Sequence, residues 1–297
     1  MAAVRAVTVL RLEDGRELAY AEYGDPTGTP VIGFHGTPGS SQQISPFDAA
    51  ARAEHVRLIA PDRPGYGHST YDPHRRLVDW PRDVAELADH LGFARFGAFG
   101  VSGGGPHAAA CAHALAPRLI GAAIVSGVAP PDTPGGLEHM MPMNRLNFTL
   151  ARQSPLLVWP AMAAMLFTLR HFPDYALDAM LRGLPEPDRR ILARRELADV
   201  LIAEARHGSP TAARAAAQDF ALFARPWRFR IEDIAVPVHV WHGDVDVNVP
   251  VSHGRAQADR IPNAKLHLCP NEGHMLFVEH GPEILRCASG RPEPVSA

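Results

Sequence analysis

The chain has 297 residues, 46% of them hydrophobic and 21% charged, with a formal net charge of −3. That length serves two small domains or one large α/β domain with an insertion, and the ordinary apolar fraction supports a sizeable core. Near-neutral charge leaves no electrostatic footing for nucleic acid or an anionic membrane surface. In chain order, residues 7–12 and 17–23 alternate apolar and polar around Glu13-Asp14-Gly15-Arg16, which predicts a hairpin with a glycine turn. Residues 31–34 form a short buried strand that ends at His35-Gly36-Thr37-Pro38-Gly39. A helix over 47–54 and a strand over 56–60 follow, the latter ending at Pro61-Asp62-Arg63-Pro64-Gly65-Tyr66-Gly67. Residues 80–91 read as an amphipathic helix, with Val84, Leu87, Ala88 and Leu91 on one face. An apolar strand-like run (Phe96, Ala98, Phe99, Val101) precedes Ser102, and an Ala-rich helical run over 106–116 follows. Residues 119–125 are continuously apolar, as at the centre of a parallel sheet.

The rhythm changes after Ser126. Pro- and Gly-marked loops separate helical segments at 143–151, 156–169, 175–181, 188–204 and 211–223, with no clear strand among them. Strand and helix alternation returns with a strand at 236–241, a helix at 255–260, a strand at 265–268 and a helix over 274–287. Residues 290–297 read as a loose tail. Alternating strands and helices predict a parallel α/β sheet with right-handed crossovers. The expected division is a core domain of 1–129 and 226–297, with a helical cap over 130–225.

The three cysteines, Cys111, Cys269 and Cys287, are odd in number and widely spaced. They read as reduced thiols of a cytoplasmic protein. The sixteen histidines show no HExxH or comparable spacing, so no metal is expected. The N-terminal residues lack the apolar core of a signal peptide. The longest apolar stretch, 155–169, contains Pro160 and falls short of the roughly 20 residues that span a bilayer.

Gly100-Val101-Ser102-Gly103-Gly104 is a G-x-S-x-G sequence set between a strand and a helix. A serine at such a turn lifts its hydroxyl above the sheet, and small neighbours tolerate the bent backbone. The amide after it sits at a helix N-terminus, where partial positive charge favours an oxyanion. A serine nucleophile needs a base, and the base an orienting acid. Carboxylates stand in the turn His242-Gly243-Asp244-Val245-Asp246, and His274 follows the last strand in Asn271-Glu272-Gly273-His274. The order serine, acid, histidine is the order this elbow requires.

With these motifs the chain resembles α/β-hydrolase fold enzymes over about residues 7 to 288. It is similar to the esterase, lactonase and carbon–carbon hydrolase branches that carry a helical cap. The resemblance implies a mostly parallel eight-stranded sheet flanked by helices, with the cap inserted after strand six. Its G-x-x-D pattern after strand seven selects Gly243 and Asp246 as the acid's setting, with Asp244 the competing carboxylate. A minority arrangement puts the acid after strand six, where this chain offers Ser126 and Asp132. The implied set is Ser102, Asp246 and His274, with an oxyanion hole from the backbone N–H groups of Thr37 and Gly103, since Pro38 has none. His35 is expected to order its loop and, second, to touch substrate. Asp62 and Arg63 are expected to pin loops near the site. Serine at the elbow argues against the haloalkane dehalogenase and epoxide hydrolase relatives, which use aspartate there.

The insertion is rich in Met140, Met141, Met143, Leu146, Phe148, Trp159, Met162, Met165 and Phe167. Most are expected to pack the insertion onto the body, with Met143 and Phe148 the candidates for lining a pocket. The function expected is hydrolysis of a carboxylic ester, lactone or thioester of a small, partly apolar molecule through an acyl-enzyme. Competing readings are a carbon–carbon hydrolase, a lyase or cyclase, and a non-hydrolytic ligand receptor. No cofactor, nucleic acid or membrane partner is expected, and the protein is expected to be a monomer or homodimer.

Overall fold

The computed structural model describes residues 5–291. Eight strands form one sheet: β1 (Val7–Arg11), β2 (Glu17–Gly24), β3 (Thr29–Phe34), β4 (Val56–Pro61), β5 (Phe96–Val101), β6 (Leu119–Val125), β7 (Val238–Gly243) and β8 (Ala264–Cys269). Their spatial order is β1-β2-β4-β3-β5-β6-β7-β8. The β1–β2 and β2–β4 pairs are antiparallel, and the other neighbours are parallel. The expected hairpin is present, closed by Leu12 N–H to Arg16 O with Gly15 at a φ of 86°.

Parallel strands joined by helices are covered on both faces, and period-2 side-chain alternation divides their apolar residues between two cores. In β5, Phe96 and Ala98 face one side while Phe99 and Val101 face the other. Helices α1 (Asp48–Ala53), α2 (Trp80–His90) and α3 (Gly105–Ala114) belong to the crossovers of the first half. Six helices intervene between β6 and β7: α4 (Pro142–Gln153), α5 (Pro155–His171), α6 (Pro173–Gly183), α7 (Glu186–Leu192), α8 (Arg195–His207) and α9 (Ala212–Phe223). The chain then returns to the sheet, with α10 (Val251–Arg260) between β7 and β8 and α11 (Gly281–Ala288) after β8.

The inserted helices α4, α5 and α9 share the core of the body. Phe148, Val158, Met162, Ala216 and Phe220 lie in the same buried cluster as Phe34, Trp80 and Val84 of the body. Of the apolar residues named in the insertion, Met140, Phe148 and Met162 are buried and Met141 is half-buried, whereas Met143, Leu146, Trp159, Met165 and Phe167 are exposed. Apolar residues on every side of α5 leave no sequence signal for which side faces inward. Three helical boundaries also differ from expectation. The segment expected as one helix over 188–204 is broken into α7 and α8 at Arg194, whose backbone is extended. Neither Pro nor Gly marks that break. The helix expected over 47–54 opens with a 3-10 segment, Ser41–Phe47, and the one expected over 274–287 becomes a short turn followed by α11, with Pro282 at its start.

Candidate active site

Ser102 lies where β5 turns into α3. Its φ is +55°, in the left-handed region that a side chain other than glycine's enters at some strain. The turn closes because Gly100 has no side chain: a Cβ there would lie 2.1 Å from Gly104 O. Ser102 faces the loop after β3, with its Oγ 3.9 Å from the position a Cβ would take on Gly36. Thr37 comes next in that loop, and its Oγ1 lies 2.3 Å from where a Cβ would stand on Gly103. The two expected oxyanion donors, Thr37 and Gly103, are therefore neighbours beside Ser102.

Asp246 and His274 meet directly. His274 Nδ1–H donates to Asp246 Oδ2 at 2.8 Å. Asp246 Oδ1 accepts from the N–H groups of Asn248 and Val249 at 2.8 and 2.9 Å. This assigns the proton of His274 to Nδ1 and leaves Nε2 as an acceptor. The competing Asp244 is exposed and turns away, accepting from Asn271 N–H at 2.7 Å. Asp132, the alternative after β6, pairs with Arg260 at 2.9 Å. Burial pushes the pKa of His274 down, but the Asp246 charge and hydrogen bond outweigh it, and the net direction is up. The turn after β6 joins serine and histidine: Val128 N–H donates to Ser102 O at 3.4 Å, and Ser126 Oγ–H donates to His274 O at 3.2 Å.

The loop after β3 is held from below by a buried ionic cluster. Asp219 of α9 is fully buried, 2.9 Å from Arg63 and 2.7 Å from Arg75. It also accepts from the Tyr66 hydroxyl and the Thr37 hydroxyl, both at 2.8 Å. Although burial opposes ionisation, the Arg75 and Arg63 guanidiniums hold Asp219 well below the usual carboxylate range. Arg63 donates in turn to the carbonyls of His35 and Gly36. Asp62 accepts from Ser41 N–H at 2.6 Å, so Asp62 and Arg63 pin loops as expected. Asp219 was not visible to sequence reasoning, because a lone carboxylate in an Ala-rich helix reads as a solvated position.

Of the three residues expected near substrate, His35 and Phe148 are buried and Met143 is exposed. His35 is wholly buried, its Nδ1–H donates to Gly36 O at 2.8 Å, and its Nε2 accepts from Arg63 N–H at 3.1 Å. Both ring nitrogens are thus used by backbone, so His35 orders the loop and has no polar atom left for a ligand. Phe148 is buried edge-on against Phe220, with ring centres 5.2 Å apart. Met143 is 57% exposed on the first turn of α4.

The neighbouring histidines are structural. His242 is buried and donates Nε2–H to Val249 O at 2.8 Å, and burial pushes its pKa down. His253 bridges Ala129 N–H and Gly136 O, with its pKa lowered by burial to about 4. Burial likewise takes His107 to about 3, beneath Gly103 O at 3.0 Å. Two three-residue sets could hold a metal ion away from Ser102: His239, His267 and Cys287, and Cys269, Glu272 and His280, each with donor atoms within 4.8 Å of one another. They are assembled from separate elements, which is why a search for ligand spacing misses them. A cleft of about 410 Å³ opens between α7 and the loop before His274, lined by Arg190, Ile191, Arg194 and Gly273 among others. Ser102, Thr37 and Asp246 do not line it, so it is not where their chemistry converges.

Residues 29–281 match the family model described as alpha/beta hydrolase fold. The chain is 30% identical to 2-hydroxy-6-oxo-6-phenylhexa-2,4-dienoate hydrolase of Burkholderia cepacia over 85% of this chain and 84% of that protein. It is 34% identical to a proline iminopeptidase of Xanthomonas citri, but over only 39% of this chain and 37% of that protein. Among solved structures, a thermophilic esterase from Thermogutta terrifontis, bound to malate, superposes with a TM-score of 0.67 at 24% identity, covering 94% of each chain.

Proposed function

Because this chain belongs to the α/β-hydrolase fold family, we propose that it is a serine hydrolase. It cleaves a carboxylic ester, lactone or thioester of a small, partly apolar molecule. The observation that carries the reading is the 2.8 Å bond from His274 Nδ1 to Asp246, with Ser102 on the strained turn beside the Thr37 loop. His274 Nε2 takes the Ser102 proton while Asp246 holds the Nδ1–H tautomer and stabilises the imidazolium. Ser102 Oγ attacks the carbonyl carbon, and the N–H groups of Thr37 and Gly103 receive the charge that gathers on the carbonyl oxygen. The leaving group departs with the proton from His274. Water, activated by the same base, then releases the acyl group from Ser102. Residues 130–225 act as a cap over this site and form the apolar side of the substrate pocket.

Hydrolysis of p-nitrophenyl esters of increasing acyl length, with Ser102→Ala as control, tests the reading. Turnover with a chain-length optimum that vanishes in Ser102→Ala is the expected result. A folded protein whose turnover is the same with Ala at 102 would remove Ser102 from its role. The 30% identity to a dienoate hydrolase over most of both chains favours one second reading, carbon–carbon cleavage with the same three residues. Negligible ester turnover, with the protein folded and Ser102 still labelled by a fluorophosphonate, would favour it, or a lyase or receptor, over the ester hydrolase.

A further inference from the structure

We propose that Asp188 is the positioning residue through which the helical insertion holds the His274 loop in register with Asp246. The proposal rests on the reading of His274 as the base. Asp188 sits on α7 with no exposed surface. Its Oδ2 accepts from His274 N–H at 3.0 Å and its Oδ1 from Met275 N–H at 2.9 Å. One carboxylate thus clasps two successive amides across 86 residues of sequence. The clasp depends on glycine just before the histidine: a Cβ at Gly273 would lie 2.3 Å from Asp188 Oδ2. The break at Arg194 releases α7 from the direction of α8, and an ion pair from Arg194 to Glu279 ties its end to the far side of the same loop.

Asp188 receives its hydrogen bonds from backbone rather than from the imidazole. It therefore sets where the ring stands, while Asp246 sets which nitrogen carries the proton. Asp246 binds Nδ1, Asp188 lies beneath the loop, and His242 stands 3.6 Å from Asp246 Oδ2 with burial keeping it neutral. The Asp188 charge adds to that of Asp246 in favouring the protonated ring. Burial pushes the pKa of Asp188 itself up, against the two amides that stabilise its anion.

The test compares wild type with Asp188→Asn, Gly273→Ala and the double variant. Two readouts are needed: the rate of Ser102 labelling by a fluorophosphonate across pH, and an NMR titration of the His274 ring, identified by its loss in His274→Gln. Asp188→Asn keeps the volume but removes the charge and one of the two acceptors. Labelling is expected to slow about 10- to 100-fold, as misplacement of a base by a fraction of an ångström to an ångström does. The His274 midpoint is expected at lower pH in both readouts. Gly273→Ala strikes the same clasp from the loop side and should slow labelling similarly, and the double variant should be no worse than the poorer single one. A merely structural role would leave the ring titration unmoved. A wild-type titration midpoint in Asp188→Asn, at any labelling rate, overturns the proposal, and so does wild-type labelling. Should Asp188→Asn not fold, wild-type labelling in Gly273→Ala overturns it alone. If instead wild-type labelling proves independent of Ser102, the functional reading fails, and the His274 titration still decides the clasp.

Discussion

At Asp246 the two carboxylate oxygens have separate tasks. Oδ1 is taken by the backbone N–H groups of Asn248 and Val249, which leaves Oδ2 for His274. Asp246→Asn would present an amide to Nδ1 and favour the wrong tautomer, so kcat is expected to fall by about 10⁴. Asp244→Asn, whose carboxylate serves a neighbouring turn, should leave kcat within a few-fold of wild type. Ester assays on both variants check this, and the opposite ranking would move the acid to Asp244. As the proposed base, His274 would work only when neutral. Because its pKa is raised, the rate should climb with pH through a midpoint above the ordinary 6.5. The same shift means that the proton on His274 stabilises the folded state fully below about 6.5, with the contribution fading as pH rises through the folded midpoint. A rate profile without such a midpoint would argue against His274 as the base. Ser102 and His274 stand out as candidates in the sequence because each is marked by residues beside it in the chain. The choice between Asp244 and Asp246 rested on a family pattern, since both are carboxylates in one turn and only the position of the histidine separates them.

Among the elements, the strands were the most legible, because a strand's two faces appear directly as alternation or as a continuous apolar run. The insertion was least so. Residues 188–204 hold a helical period throughout, yet the chain breaks at Arg194 so that α7 points at the His274 loop. That choice is made by partners on other elements: Ile191 and Leu192 are buried, and Arg194 pairs with Glu279. The same is true of α9. Its Asp219 is joined to Arg63 across 156 residues and ties the inserted helix to the loop that carries Thr37. Removing this carboxylate would leave two buried guanidiniums without their counter-charge. Asp219→Ala is therefore expected to lose about 3–5 kcal/mol of stability, read as a lowered urea midpoint at unchanged slope. A loss below about 1 kcal/mol, the range of an exposed ion pair, would show that the cluster is not the anchor described.

For the whole molecule, the shared core is the feature with consequences. Phe148 and Phe220 of the insertion are continuous with Phe34 and Trp80 of the body, so the two should lose structure together. Scanning calorimetry is expected to show one transition, and a separate low-temperature transition for the inserted helices would contradict it. Among the described residues, no helix is long and apolar enough to cross a membrane. Leu156 and Phe167, 71% and 58% exposed, lie on the outward side of α5.

Local pattern alone predicts the hairpin, the alternating strands and helices, the serine turn between β5 and α3, and the candidate order of serine, carboxylate and histidine along the chain. Each of these is governed by residues within a few positions, where backbone sterics and side-chain period act directly. The folded chain decided which aspartate binds His274, which insertion residues face inward, and that Asp219 and Asp188 reach from separate inserted helices to the Thr37 and His274 loops. Those outcomes depend on contacts between segments 28, 86 and 156 residues apart. A carboxylate on an amphipathic helix carries no mark of whether water or a distant loop will satisfy it.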